Sequence, residues 1–157
     1  MILVQLFAII ATILTQQRPD VRVRDLEAHP FCEQLGSVGD DLIGDPPRSL
    51  WNTIIGEGQA GCASTATLIV ARMEGPKGKY LRDVRVILSA RYKPSGRQRE
   101  TVVADTVPLG ISDSDGFLYA ALWVPRTGCS KVDLRAIILG AAQPSVRQEA
   151  IPFACGE

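Results

Sequence analysis

Short apolar segments alternate with turn-forming segments from residue 50 to the end of the chain. The apolar segments are rich in Val, Ile, Thr, Trp and Tyr, which favour extended strands, whereas Gly, Pro, Ser and Asp between them favour turns. Such evenly spaced short strands predict an all-β sandwich or barrel. The seven predicted strands are residues 50–55, 64–73, 83–92, 100–107, 116–124, 132–139 and 149–155.

Two of these segments alternate strictly between the two faces of a strand. Their apolar positions are Val84, Val86, Leu88 and Ala90 in one segment, and Val132, Leu134, Ala136 and Ile138 in the other. One apolar and one mixed face is the pattern of a strand in a two-sheet sandwich. Residues 116–124 are apolar on both faces, so we predict that this strand is central in its sheet or packs against another surface.

The first fifteen residues are almost entirely apolar, and the chain turns polar at residues 16–20. As a helix this stretch is shorter than the hydrocarbon core of a bilayer. Residues 1–17 are therefore predicted to be a signal peptide or an N-terminal membrane anchor, with residues 1–15 as the membrane contact. No Lys or Arg precedes the apolar run, and three arginines follow it, so a chain that stays in the cytosol is a third alternative.

Residues 18–49 lack the strand and turn rhythm of the rest of the chain. We predict that they form an irregular strap, with a short helix over residues 25–35 and a loop over residues 36–47. Residues 50–157 would then be the folded domain, which suits the length of a seven-stranded sandwich.

The four cysteines are widely spaced, and none belongs to a C-x-x-C pair. An even number at such spacing predicts two structural disulfides and an extracytoplasmic compartment, periplasmic or secreted. Four cysteines allow three pairings, of which we prefer Cys129–Cys155 because the strands that flank them resemble hairpin partners. The second disulfide would then be Cys32–Cys62. The alternative to two disulfides is that all four cysteines are buried free thiols.

Charge and composition argue against several functions. The 17 Lys and Arg residues balance 17 Asp and Glu residues, so the chain lacks the positive charge that drives nucleic-acid binding. Its single histidine, His29, precedes Pro30 in the predicted strap, where we expect it to be solvated. Because neither G-x-S-x-G nor H-E-x-x-H occurs, we predict a protein that is not an enzyme, with no catalytic residue, metal site or cofactor.

Two short motifs have both a functional and a structural interpretation. Residues 56–61 read G-x-G-x-x-G, but the β-branched stretch that follows is a poor helix, so we predict a turn rather than a nucleotide site. Residues 112–116 read Ser-Asp-Ser-Asp-Gly, which is only a fragment of a calcium loop. We predict a tight turn into a strand there as well.

Residues 79–88, Thr106 and residues 112–119 together resemble transthyretin-like and carboxypeptidase-regulatory-like domains. The shared features are a plain strand with V-x-V-x-L, a long hairpin and a T-D-x-x-G-x-F type of turn, over about residues 66–124. Ser112 stands where Thr is usual, and the separation of residues 84 and 117 is long. The resemblance implies an Ig-like, prealbumin-like Greek-key sandwich of seven strands that acts as an accessory or binding module, and it assigns no ligand residue.

These features predict a non-catalytic, extracytoplasmic accessory subunit associated with a membrane or with a membrane-embedded protein complex. Four aromatic residues are candidates for its interface, although core packing is the alternative role for each. They are Trp51, Phe117, Tyr119 and Trp123. The alternative function is a secreted β-sandwich module that binds a small ligand or a carbohydrate.

Overall fold

The computed structural model describes residues 17–33, 35–44, 66–94, 97–128 and 130–153, and these form eight strands and no helix. The strands are β1 (Arg22–Cys32), β2 (Ser37–Val38), β3 (Ala66–Glu74), β4 (Arg85–Tyr92), β5 (Thr101–Pro108), β6 (Phe117–Pro125), β7 (Val132–Leu139) and β8 (Ser145–Ile151). The all-β prediction is confirmed for this part of the chain. No helix within it is long and apolar enough to cross a membrane. The predicted N-terminal helix, the predicted strand at 50–55 and the G-x-G-x-x-G motif lie outside the described residues.

The strands form two four-stranded sheets in which every pairing is antiparallel. The first sheet has the order β2-β1-β3-β6 and the second has the order β5-β4-β7-β8. Neighbouring strands β1–β2, β4–β5 and β7–β8 follow each other along the chain, whereas the chain changes sheets after β3, β5 and β6. Inward-facing side chains of both sheets meet in one hydrophobic core, as two packed sheets require.

The alternating strands fill that core as the sequence predicts. In β4, Val86, Leu88 and Ala90 are buried, and in β7 every second residue from Val132 to Ile138 is buried. The two strands are direct neighbours, with Leu88 opposite Ala136. Their shared face therefore forms the centre of the second sheet's contribution to the core.

The prediction of a strap with a helix over residues 25–35 is wrong. Residues 22–32 form β1, which pairs with β3 along almost its whole length, and Leu26, Ala28 and Cys32 on its inner face are buried. This period of two is hard to recognise because Pro30 interrupts the run and a register shift lies between Val23 and Asp25.

Residues 39–43 cover the free edge of β1. The backbone N–H of Leu42 donates to the carbonyl of Ala28, and that of Gly39 donates to the carbonyl of Pro30. The Asp41 carboxylate accepts hydrogen bonds from Ala28 N, at 2.8 Å, and from Ile43 N. The Leu42 side chain is buried, so this segment extends the core past β1.

The last strand differs from its predicted bounds. β8 spans Ser145–Ile151 rather than residues 149–155, and it pairs with β7 from Ile138↔Ser145 to Val132↔Ile151. Most of its side chains are exposed or half-buried because β8 is an edge strand. Its sequence therefore lacks the apolar alternation that would have revealed where it begins.

Two hydrogen bonds tie polar side chains into the interior at one end of the molecule. The hydroxyls of Thr67 and Thr127 are buried and lie 2.7 Å apart. The Tyr92 hydroxyl of β4 donates to the carbonyl of Pro125 at the end of β6, which links the two sheets. Burial raises the pKa of Tyr92 above its ordinary value.

Cys32 is buried at the end of β1 and is disulfide-bonded. Cys62, Cys129 and Cys155 lie outside the described residues, so the preferred pairing stays a prediction.

Candidate interaction face

β6 presents three of the four predicted interface residues on one side of the first sheet. Its inner positions, Leu118 to Val124 at every second residue, are buried. The alternate, outward positions include Phe117, Tyr119 and Trp123, so the period of a strand places these aromatic side chains on the same face. Trp51 lies outside the described residues.

β1 and β3 add further apolar side chains beside Trp123. The ring of Phe31 packs edge-on against Trp123, with centroids 4.9 Å apart and an interplanar angle of 69°. Trp123 lies opposite Leu68 of β3, and Val70 is the next outward residue of that strand. We call Phe31, Leu68, Val70, Tyr119 and Trp123 the aromatic face. Phe31, Leu68 and Val70 were not among the predicted interface residues, because their position beside Trp123 follows from the pairing of β1 with β3 and of β3 with β6.

The two largest side chains of the aromatic face are open to solvent. Tyr119 is 60% exposed and Trp123 is 45% exposed, although aromatic side chains of this size usually contribute to cores. Core packing is therefore wrong for these two residues. Phe117 is half-buried, and the guanidinium of Arg72 lies 5.4 Å from the centre of its ring.

Among the described residues β6 is the outermost strand of its sheet rather than a central one. The other alternative, that it packs against another surface, stays a prediction. Its apolar outer face has a different cause, since the side chains there are exposed rather than buried between layers. An apolar pattern on both faces of a strand does not show whether the second face is buried in a core or exposed as an apolar patch.

The other half of this outer face carries paired charges. Arg22 forms a two-pronged contact with Asp20, at 2.8 Å and 3.2 Å, and this hydrogen bond and charge raise the pKa of Arg22. Arg24 pairs with Glu74. A third pair, Arg72 with Asp25, is looser at 3.7 Å. These groups are exposed, so each pair contributes little to stability, but together they make a polar border beside the aromatic face.

His29 lies on β1, between the aromatic face and the chain segment that follows β2. Its Nδ1 is 3.0 Å from the carbonyl oxygen of Gly39, and its Nε2 is 3.2 Å from a carboxylate oxygen of Glu27. The expectation of a solvated strap histidine is therefore wrong. Both ring nitrogens face oxygen atoms, which orients the ring and fixes its position at the edge of the face.

Residues 112–116 form the turn that the Asp-Gly pair predicts. The Asp113 carboxylate accepts hydrogen bonds from the backbone N–H groups of Asp115, at 2.9 Å, and Phe117, at 2.7 Å. Gly116 adopts φ of 90°, a conformation that favours glycine. The turn thus sets the start of β6 and, with it, the direction of the aromatic side chains.

Two clefts of the described surface are lined mainly by polar and charged side chains. A cleft of about 570 Å³ lies beside the charged half of the face and is lined by Arg18, Asp20, Arg22, Arg24 and Glu74, with neighbouring Gln and Pro residues. A second, of about 330 Å³, lies on the outer face of the other sheet and is also lined by charged groups. No group of three or more His, Cys, Asp or Glu side chains able to hold a metal ion occurs among the described residues.

The aromatic face is thus built from three adjacent strands, β1, β3 and β6, whose pairing holds its side chains in fixed positions. Nothing in its chemistry is nucleophilic or metal-binding; it consists of aromatic and aliphatic groups beside paired charges. No protein-family model matches this chain, and no curated protein matches it either.

Proposed function

We propose that this chain is a non-catalytic accessory subunit that binds a protein partner through its aromatic face. The observation that carries this proposal is the exposure of Tyr119 and Trp123 on one face of a rigid sheet. Burial of these rings against a partner would remove a large apolar area from water, and Trp and Tyr are enriched among the residues that dominate binding energy.

The surroundings of the aromatic face fit a protein interface. Its centre carries no charged side chain, so a partner can cover it without leaving a charge unpaired. Its border carries Arg72 with Asp25 and Arg24 with Glu74, which already compensate each other. An apolar centre with a polar rim is the usual anatomy of such interfaces.

The fold proposed for this subunit is an Ig-like Greek-key sandwich. The sheet order supports it: β1, β3 and β6 take the places of strands A, B and E, and β4, β7 and β8 take those of C, F and G. β5, which pairs with β4 at the edge of the second sheet, takes the place of C′.

We further propose an extracytoplasmic location, with residues 1–17 as a signal peptide or anchor and with disulfides Cys32–Cys62 and Cys129–Cys155. The strand register supports this pairing. Val132, at the start of β7, lies opposite Ile151, at the end of β8. Cys129 precedes the first of these residues by three positions and Cys155 follows the second by four, so both cysteines belong to the same end of the β7–β8 pair. Pro30 lies opposite Thr67, so Cys32 lies beside the start of β3. β3 begins four residues after Cys62 in the sequence.

Peptide mapping of the full chain without reduction tests this pairing. We expect two cross-linked peptide pairs, one with Cys32 and Cys62 and one with Cys129 and Cys155, and no thiol that alkylates before reduction. A peptide that joins Cys32 to Cys129 or Cys155 would contradict the proposed pairing.

The binding role is tested by the size of the complex that the full chain forms in membranes of its own cell. We expect the chain, extracted in mild detergent after a high-salt wash, to run in a native complex larger than its own oligomers. In the double variant Tyr119→Ser, Trp123→Ser, the amount of this complex should fall at least about tenfold, because two exposed aromatic anchors are removed.

The matched control is Val102→Ser with Val146→Ser, which removes two exposed apolar side chains from the second sheet. This variant should keep the complex. Equal losses in both double variants would contradict a specific role of the aromatic face. A wild-type chain found only as a soluble protein outside the cytoplasm, with no larger complex, would instead favour the secreted ligand-binding alternative, whose sites are usually concave and apolar.

A further inference from the structure

β6 is a long, regular strand with only one partner strand among the described residues. Its nine residues pair with β3 from Glu74↔Phe117 to Ala66↔Pro125, without a shift in register. No strand among the described residues pairs with its other side. A straight edge of this kind presents a row of backbone N–H and C=O groups that can pair with another strand.

The other edges of the two sheets carry features that discourage such pairing. β5 has Asp105 near its middle, and β8 carries Arg147 and Glu149. The outer side of β1 is covered by β2 and by the segment through Leu42. β6 has no charged residue, and its only proline, Pro125, is its last residue. At its ends, Asp113 forms hydrogen bonds with the backbone N–H and C=O of Phe117, and Tyr92 donates to the carbonyl of Pro125. The open part of this edge is therefore residues 118–124, which carry no protective feature.

We propose that this edge is a self-association site, at which β6 of two copies pair in antiparallel orientation about a twofold axis at Ala121. This register places Tyr119 of one copy opposite Trp123 of the second copy on the outer face. On the inner face it places Leu118 opposite the second copy's Val124. Cross-strand aromatic pairs stabilise such ribbons, so the strand is complementary to itself.

Charge explains why a second copy fits this edge. In a twofold dimer, each side chain near the axis faces the same side chain of the second copy, so a charged residue there would face a like charge. β6 has none. Beyond its two ends, however, the charges are opposite: Asp115 precedes the strand and Arg126 follows it. Both are exposed, and neither forms an ion pair among the described residues. Antiparallel pairing brings Arg126 of each copy to the Asp115 end of the other.

Self-association would also join the two aromatic faces. Residues opposite each other in an antiparallel pair point to the same side of the sheet, so both copies turn Tyr119 and Trp123 in one direction. The result is one continuous sheet of eight strands in which the aromatic faces of the two copies lie side by side. This inference goes beyond the proposed binding role and does not depend on it, since the hydrogen bonds of the pairing come from the backbone edge of β6 and the Tyr119–Trp123 pairs only add to them.

The experiment measures the mass of the purified full chain by light scattering that separates protein mass from bound detergent. We expect a dimer. Ala121→Lys should weaken dimerisation by at least about tenfold, because it places two lysines opposite each other at the axis. The matched control is Ala104→Lys on the exposed edge strand β5, which should stay dimeric. A cooperative thermal unfolding transition in both variants shows that each is folded, as expected for exposed sites.

A mixture of two variants makes the test specific. Ala121→Lys chains mixed with Ala121→Glu chains should form the dimer again, because each lysine then faces a glutamate. A monomeric wild type overturns the proposal, as does a dimer that Ala121→Lys leaves intact. Retention of the larger membrane complex by the Tyr119 and Trp123 variant would contradict only the partner-binding role, because the Ala121 variants test self-association separately.

Discussion

Replacement of Leu134 by alanine is expected to lower the free energy of unfolding by about 2–5 kcal/mol. Leu134 is 2% exposed and lies in β7, whose inner face is buried from end to end. β7 is paired on both sides, to β4 and to β8, so neighbouring backbone cannot move far to fill the space that the missing methyl groups leave. The loss is measured by urea unfolding of the oxidised protein, followed by circular dichroism.

The matched control is Leu139→Ala, the same change at the end of the same strand. Leu139 points to the outer face and is 44% exposed, so we expect a change of less than about 0.5 kcal/mol. The comparison tests the register of β7 directly, because a shift of one residue would exchange the two faces. Equal losses at both positions would contradict the pairing Ala90↔Leu134.

The strands that the sequence predicts best are those with one kind of residue on each face. Val86, Leu88 and Ala90 alternate with polar or mixed neighbours, and the prediction of that strand agrees with β4 to within two residues. β1 shows the limit of this logic. Its buried residues Leu26 and Ala28 are as regular, but Pro30 and the shift after Val23 break the pattern that a reader of the sequence looks for.

Much of the aromatic face could be found in the sequence, because Phe117, Tyr119 and Trp123 occur at alternate or nearly alternate positions of one apolar segment. Phe31 could not be added to them, since its contact with Trp123 depends on the pairing of β1 with β3 and of β3 with β6. The edge position of β6 has the same origin. Which strand lacks a neighbour is a property of the whole topology, and no local pattern encodes it.

Gly140 closes the second sheet at a point where two backbones almost touch. It follows β7, leads into the turn before β8 and adopts φ of 83°. A Cβ atom at this position would lie 2.3 Å from the carbonyl oxygen of Asp83 and 3.3 Å from the Cα of Val84. Asp83 itself adopts φ of 64°, so both chains are bent at this contact. Since the clash is with backbone, no side-chain rotation relieves it.

Gly140→Ala is therefore expected to lower the free energy of unfolding by about 2–5 kcal/mol, since left-handed strain of about 1–2 kcal/mol adds to overpacking of about 1–3 kcal/mol. Two glycines separate these causes. Gly78 also has positive φ, at 59°, but open space around it, so Gly78→Ala should lose only the strain. Gly110 has neither, and Gly110→Ala should change stability by less than about 1 kcal/mol. Urea unfolding of the three variants measures the series. Equal losses at Gly140 and Gly78 would contradict the close approach of β7 to the Asp83 turn, because strain alone would then account for both.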